Sequence, residues 1–284
     1  MTKRTALDWL DAYTATYYYS PSQALWRALE AQTLGSDPFQ RPSLDVGAFD
    51  GSFAAAWLGD RPAFDVGVDL HPQRTSYTDR AYRLLVSGDA ERLPFPDETF
   101  RFVLCNSVVE HIRDDVKAIR EMARVLRPGG ALLMSSPSVY FHESLHTVQT
   151  ARRHGDEAAA RAAMAAIDSR AAHYRYRSLE DWTKILTDAG FQITRHAYCI
   201  PPGAAASWER WDHLLMTRLF GRRLDRFLVS RKLASVVPTT LWKNLFRPML
   251  QPGYLHAVAQ QADPESIGAN LVIGAVRNQS GTSS

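Results

Sequence analysis

The chain has 284 residues, 45% apolar, 11% aromatic and 22% charged, a globular composition with enough apolar material for a sizeable core. That balance excludes a disordered chain, a collagen and a small disulfide scaffold. The net charge is only +3, yet residues 208–250 hold nine Lys/Arg against three Asp/Glu, so +6 sits in that stretch and −3 in the rest.

No run approaches the ~20 uninterrupted apolar residues of a membrane-spanning helix. The N-terminus has Lys3 and Arg4 but no apolar core and no small-residue cleavage site, which predicts no secretory signal. Cys105 and Cys199 stand in apolar stretches without a CxxC partner. Two buried thiols in a reducing cytoplasm are the expectation.

From residue 43 to 137, strand and helix signals alternate over short connections. SLDVG (43–47) is an apolar run ending in glycine, and SFAAAWLG reads as a helix. FDVGVDL (64–70), YRLLVSGDA (82–90) and FRFVLCNSVVEH (100–111) predict three further strands. Val116, Ile119, Met122, Ala123 and Leu126 give the spacing of an amphipathic helix that RPGG ends, and ALLMSSP (131–137) is a fifth strand. Residues 138–177 read as a helical insert with a strong helix over 156–172 capped by Asp156. SLEDWTKILTDAG (178–190) is a helix with Ser178 as N-cap and Gly190 at its end. FQITRHAYCI (191–200) and ANLVIGAVR (269–277) complete seven strands, with a second insert over 201–266 between them. Strands alternating with helices predict an α/β fold, a mostly parallel sheet with helices on both faces, carrying helical inserts.

The loop Asp45-Val46-Gly47-Ala48-Phe49-Asp50-Gly51 lies where the first strand hands over to a helix. Glycines there let backbone N–H groups approach an anionic ligand. A dinucleotide fingerprint needs glycine at 47, 49 and 52, but Phe49 and Ser52 occupy two of those places, which argues against hydride transfer. Eighteen residues after Gly51, Asp69 ends the second strand, a spacing at which a carboxylate accepts both hydroxyls of a ribose. Gly88-Asp89-Ala90-Glu91 ends the third strand, and Asn106-Ser107 the fourth. Polar groups at four successive strand ends describe one elongated pocket.

With LDVGAFDG, VDL, GDAERLPFPDETFRFV, NSVVEHI and LRPGG, residues 43–137 resemble the class I S-adenosylmethionine-dependent methyltransferases, in the Methyltransf_11-like branch. HYRYRSLEDWTKILTDAGF (173–191) resembles that family's helix after strand five. The resemblance implies a Rossmann-like seven-stranded sheet and S-adenosyl-L-methionine as cofactor, with S-adenosyl-L-homocysteine as product. It implies a core over 43–200 and 267–278, and an N-terminal helical segment over 1–42 that covers the cofactor. Asp45, Gly47, Ala48, Phe49 and Gly51 then face the amino and carboxylate end of the cofactor. Asp69 takes the ribose hydroxyls, and Leu70 packs beside the adenine. Asp89 and Ala90 meet the adenine edge, and Asn106 and Ser107 line the pocket near the sulfonium. Phe49 departs from the family, which usually has its middle glycine there.

A hydroxyl acceptor requires a general base. The candidates are His111, beside Glu110 at the end of strand four, and His142 and His146. His111 has an alternative role, orienting the helix that follows. His142, Glu143 and His146 spell H-E-x-x-H, a zinc signature when it lies on a helix. Its place after strand five and the absence of an evident third ligand favour ordinary lid histidines or an acceptor contact over a metal, so no metal is expected. Tyr17, Tyr18 and Tyr19, with Trp26 and Glu30, bound the acceptor pocket or simply pack their segment onto the domain.

In the second insert, Trp208, Trp211, Leu215, Leu219, Leu224, Phe227 and Leu228, then Leu241, Trp242, Leu245, Phe246 and Met249 after Pro238, alternate with nine cations. Those are Arg210, Arg218, Arg222, Arg223, Arg226, Arg231, Lys232, Lys243 and Arg247. Three readings stay open: a helical roof over the pocket, an anionic membrane surface contact through 208–250, and nucleic acid, which has the least support. The expectation is a cytoplasmic methyltransferase, peripheral to a membrane in one variant, acting on an O, N or C atom of a small-molecule acceptor. A lipid-linked acceptor is the main variant. A non-catalytic S-adenosylmethionine-binding module is the alternative from another class. Oligomeric state is not legible.

Overall fold

A computed structural model describes residues 4–18, 20–216, 218–219, 222–223, 239–261, 263 and 266–279. Its chain divides into two compact units, one of 1–36, 140–167 and 198–269, the other of 37–139, 168–197 and 270–284.

The second unit holds the sheet. Its strands are β1 (Ser43–Val46), β2 (Phe64–Asp69), β3 (Tyr82–Ser87), β4 (Phe100–Asn106), β5 (Leu126–Pro137), β6 (Phe191–Cys199, of which the last two residues fall in the other unit) and β7 (Asn270–Arg277). They lie in the order β3-β2-β1-β4-β5-β7-β6. The pairs β1–β2, β1–β4, β2–β3 and β4–β5 are parallel, and β7 runs antiparallel to β5. This is the mostly parallel, helix-flanked sheet that the strand–helix alternation predicts. The chain moves outward from β1 to β3 and then returns to the other side of β1 with β4. Strand order therefore reverses between β1 and β4, where ligands bind on open sheets of this kind.

All four residues of β1 are buried, as a central strand covered on both faces requires. Phe39 clusters with Phe64 and Phe102, their centroids 4.9 and 4.7 Å away, and also stacks on Trp57 at 6.0 Å. The buried Arg61 guanidinium lies 4.0 Å over Trp57 and donates to the Leu58 carbonyl.

Within the sheet, one element differs from expectation. The amphipathic helix closes at Val125, and Leu126 is already extended. RPGG does not separate helix from strand but bulges within β5: Phe100 faces Leu126 while Phe102 faces Ala131. Gly129 at φ 74° makes that detour.

Flanking helices of this unit are α3 (Ser52–Leu58), α4 (Ser76–Ala81), α5 (Asp115–Val125) and α8 (Leu179–Asp188). Ser178 and Asp181 form a full capping box on α8, and Gly190 follows at φ 85°. Asp115, 1% exposed, accepts from Arg175 at 3.0 Å and from Arg177 at 2.6 and 2.8 Å. These bonds tie the start of α5 to the segment before α8.

The first unit is helical. It contains α1 (Ala6–Thr16), α2 (Pro21–Leu34), α6 (His146–Arg153), α9 (Pro202–Met216) and α10 (Thr239–Gln261). The division between units falls inside α7 (Glu157–Ala171), which Asp156 caps through the Ala159 N–H at 2.8 Å. Trp26 of α2 packs on Phe141 and Trp208, and Tyr17 stacks on Tyr13. Glu30 is buried and paired with Arg27 at 2.6 Å, so in this unit it serves the packing. Glu209, also buried, accepts from the Thr147 N–H at 2.9 Å and from its hydroxyl. The second insert is not wholly helical: Arg218–Leu219 pairs with Arg222–Arg223 as a two-residue antiparallel ladder.

Tyr19, Leu224, Arg226, Phe227, Leu228, Arg231, Lys232 and Pro238 lie outside the described residues, as do the side chains of Leu215, Arg218, Leu219, Arg222, Arg223, Trp242 and Lys243. No helix among the described residues is long and apolar enough to cross a membrane. Both cysteines are buried and neither forms a disulfide.

Asp115→Ala removes the anion from its two arginines and is expected to cost about 2–3 kcal/mol. That is less than a fully buried pair costs, because both guanidinium groups reach solvent. Urea unfolding monitored by circular dichroism measures it.

Candidate functional site

The loops after β1, β2, β3 and β4 are bonded to one another. Gly47 and Ala48 both donate to the Val68 carbonyl, at 2.8 and 3.0 Å. Gly88 donates to the Asp69 carbonyl at 2.9 Å, and the Ser87 hydroxyl to that of Leu70 at 3.2 Å. Gly47 adopts φ 86°, and a Cβ there would lie 2.1 Å from the Val108 side chain beyond β4. Only glycine meets both demands.

Asp45 is buried at the end of β1 and accepts from the Tyr82 hydroxyl at 2.6 Å. No cationic side chain among the described residues pairs with it. Burial raises its pKa to about 7; the Tyr82 bond opposes the rise and the Asp69 charge adds to it. Tyr82 is itself pushed well above 10 by burial and by Asp45, so it remains a hydroxyl donor.

Asp69 is half-buried. Its Oδ2 accepts from Phe49 N–H at 3.0 Å and its Oδ1 from His71 N–H at 2.8 Å. Phe49 takes φ 39° and is 51% exposed. That left-handed backbone costs a bulky residue about 1–3 kcal/mol. The Asp69 bond and the Gln73 N–H on the Phe49 carbonyl, at 2.9 Å, hold it there. Gly51 at φ 72° stands as the N-cap of α3, with the Thr78 backbone 2.8 Å from where a Cβ would be. Asp50 turns inward to Ser52, accepting from its N–H at 3.0 Å.

Leu70 is exposed, as is Asp89, whose Oδ1 accepts from Glu91 N–H at 2.9 Å. Ala90 follows half-buried. Asn106 ends β4 and accepts from the Ser135 hydroxyl at 2.9 Å; Ser107, at φ 52°, donates its N–H to Ser135. The structure thus brings Asp45, Gly47, Ala48, Phe49, Gly51 and Asp69 into one bonded set, with Leu70, Asp89, Ala90, Asn106 and Ser107 on adjoining loops. A separate groove of about 350 Å³, lined by Gln40, Arg101, Arg127 and Gly129 among others, lies by the starts of β4 and β5, the opposite strand ends.

The histidines are divided. His111 is exposed in the 3-10 turn Val109–His111 of the sheet unit. His142 and His146 belong to the helical unit. His142–Ser144 is a 3-10 turn, Leu145 is extended, and α6 begins at His146. H-E-x-x-H therefore does not lie on one helix here, and Glu143 is engaged by Arg152. Tyr82 had no signal in the sequence beyond starting a strand, because its partner stands 37 residues away. Cys105, deep in β4, is held protonated by burial and by Glu110.

Residues 44–134 match the family model Methyltransf_11, a methyltransferase domain. Over 115 residues the chain is 36% identical to the demethylmenaquinone methyltransferase of Deinococcus radiodurans, covering 38% of this chain and 47% of that one. Over 123 residues it is 32% identical to the ubiquinone/menaquinone biosynthesis C-methyltransferase UbiE of Vibrio campbellii, with 39% and 46% covered. The chain spans about half the length of the curated relatives it matches. Among solved structures, the [4+2]-cyclase SpnF superposes with a TM-score of 0.50 at 16% identity, over 91% of this chain and 82% of that one, a likeness of fold alone. Residues 44–134 are thus a class I S-adenosylmethionine-dependent methyltransferase domain of the Methyltransf_11 branch.

Asp45 carries a measurable pH dependence. Its carboxyl ionises near ~3.9 in the unfolded chain but near about 7 in the fold. The stability it contributes is present below the lower value and lost as pH rises through the upper one. Asp45→Asn escapes that loss. Its stability gain over the parent is expected to grow by on the order of 1–2 kcal/mol between about pH 5.5 and pH 8.5, at ~1.4 kcal/mol per unit. Urea titrations of ligand-free protein at both pH values read it.

Proposed function

We propose that the chain is an S-adenosylmethionine-dependent methyltransferase that moves a methyl group to an O, N or C atom of a small-molecule acceptor. The observation that carries this reading is the buried Asp45 carboxyl, which has a hydroxyl donor but, among the described residues, no cation beside it. A ligand ammonium would supply the missing charge, and the cofactor has one. The four linked loops fit the rest of it. Gly47, Ala48, Phe49 and Gly51 would hold the amino-acid end. Asp69 keeps lone pairs on both oxygens for the ribose hydroxyls, since each accepts one N–H from the protein. Leu70 would lie beside the adenine, Asp89 and Ala90 at its edge, and Asn106 and Ser107 near the reacting centre.

The bound cofactor supplies an electrophilic methyl on a sulfonium. The protein's part is to align the acceptor atom in line with that bond and, for a hydroxyl acceptor, to take its proton. His111, His142 and His146 are the candidates for that base.

A second reading, a lipid-linked acceptor met at a membrane surface, is favoured by α10. Leu241, Leu245 and Met249 recur every fourth residue and are 58%, 55% and 56% exposed, while Leu250, Tyr254 and Ala257 are buried. Residues 239–261 contain Lys243 and Arg247 and no Asp or Glu. Such a helix suits an anionic lipid interface. The names of the two quinone-pathway relatives support a lipid-soluble acceptor. On this reading the protein is cytoplasmic and peripheral to the membrane.

Asp69→Ala is expected to weaken S-adenosylmethionine binding about 10- to 100-fold by calorimetry, the value of one to two charge-assisted hydrogen bonds. An unchanged affinity would overturn the pocket assignment. Labelled methyl donor offered with metabolite and lipid fractions tests transfer; tight binding with no transfer to any fraction would instead mark a non-catalytic binding module.

For the membrane reading, the chain should float with phosphatidylglycerol vesicles at low salt, and Leu245→Glu should reduce the floated fraction several-fold. Absence of the parent chain from the vesicle layer rules this reading out.

A further inference from the structure

A second cluster of chemically capable side chains lies in the sheet unit and goes beyond the proposed methyl transfer. The 3-10 turn after β4 carries Glu110, which is buried, and His111. The segment joining α7 to α8 carries His173. Two bonds fasten these segments together: Tyr174 N–H donates to the Glu110 carbonyl at 2.9 Å, and His111 Nδ1 stands 3.3 Å from the Ala172 carbonyl. Ala172 adopts φ 55°, a left-handed conformation that turns the chain at the end of α7 immediately before His173. The two imidazole rings lie 5.0 Å apart. A carboxylate oxygen of Glu110 and one ring nitrogen from each histidine all fall within 4.8 Å of one another.

Their surroundings fix the protons. A carbonyl only accepts, so His111 carries hydrogen on Nδ1. His173 Nδ1 lies 3.0 Å from the Tyr176 hydroxyl, whose own proton is committed to Asp168. Tyr176 therefore accepts from His173, and hydrogen is on Nδ1 there too. Each neutral ring then has its lone pair on Nε2. An imidazole whose Nδ1–H is anchored on a protein oxygen is how metal-ligating histidines are oriented, and the Asp168–Tyr176–His173 chain supplies that outer support.

We propose that Glu110, His111 and His173 form a site for a divalent transition metal. Two imidazoles, one carboxylate and a water at a solvent-facing fourth position are a donor set for zinc. H-E-x-x-H at 142–146, broken between two elements, is not that site. The ion would pin the turn after β4 to the segment entering α8.

The test uses tag-free full-length protein stripped of metal. Titration with Co²⁺ should give visible d–d absorption that saturates at one ion per chain and is displaced by Zn²⁺, and Zn²⁺ should raise the melting temperature. His111→Ala and His173→Ala should each abolish the absorption. Tyr176→Phe should weaken binding about 10- to 100-fold, and His196→Ala, on the exposed middle of β6, should leave it unchanged. His111 is exposed, so its variant decides the matter even where His173→Ala fails to fold. Absence of d–d bands in the parent chain, or bands that persist in the His111→Ala/His173→Ala double variant, would overturn the proposal.

Discussion

The turn after β1 has no room for a side chain at its first residue, and the arrangement of the site depends on that. Gly47 passes against Val108, the residue that leads β4 into its 3-10 turn, so the ends of two neighbouring strands close on each other. The same turn gives two successive N–H groups to Val68 at the end of β2. Three strand ends are thereby fixed by one short loop. Any larger residue at Gly47 would push β1 away from β4 at the point where strand order reverses. The binding crevice of such a sheet exists because the strands diverge there, so its shape is set by this contact rather than by the residues that touch a ligand.

That loop also determines the electrostatics. Asp45 and Asp69 lie at the ends of adjacent strands, and the Asp69 charge adds to the cost of charging buried Asp45. The fold handles them differently. Asp69 keeps two backbone N–H donors and stays open to solvent, whereas Asp45 is closed in with one phenol. Burial then dominates for Asp45 and places its titration near about 7. Asp69 has backbone donors on both oxygens without a ligand, whereas burial holds the Asp45 carboxyl well above the usual carboxylate range. Phe49 belongs to the same balance. Its strained backbone persists because its N–H is one of the two donors on Asp69, so the departure from glycine is stabilised by the carboxylate that the loop serves.

The sheet was legible because its signals are local. Short strand runs, glycine turns and the Ser178–Asp181 capping box each lie within a few residues. RPGG reads as a boundary because glycine and proline mark both helix ends and strand detours, and only the pairing partner distinguishes them. Tyr82 on Asp45 and His173 beside His111 are partnerships across 37 and 62 residues, invisible to any pattern of spacing. H-E-x-x-H was the converse case. Its letters suggest one helical face, but an extended Leu145 breaks the register that would make the two histidines neighbours.

Packing rather than intrinsic propensity holds α10 together, and this bears on its outer surface. Pro248 and Pro252 lie inside the helix, and each removes a backbone donor and crowds the preceding turn at a cost of about 3 kcal/mol. Buried Leu250, Tyr254 and Ala257, the Tyr254–Gln32 bond at 2.5 Å and the Arg247–Asp11 ion pair offset that cost on the inner side. None of these contacts involves Leu241, Leu245 or Met249. Polar residues at those three places would stabilise the helix as well and leave less apolar surface in water. The apolar stripe is therefore not required by the contacts that the described residues make to hold α10 in place.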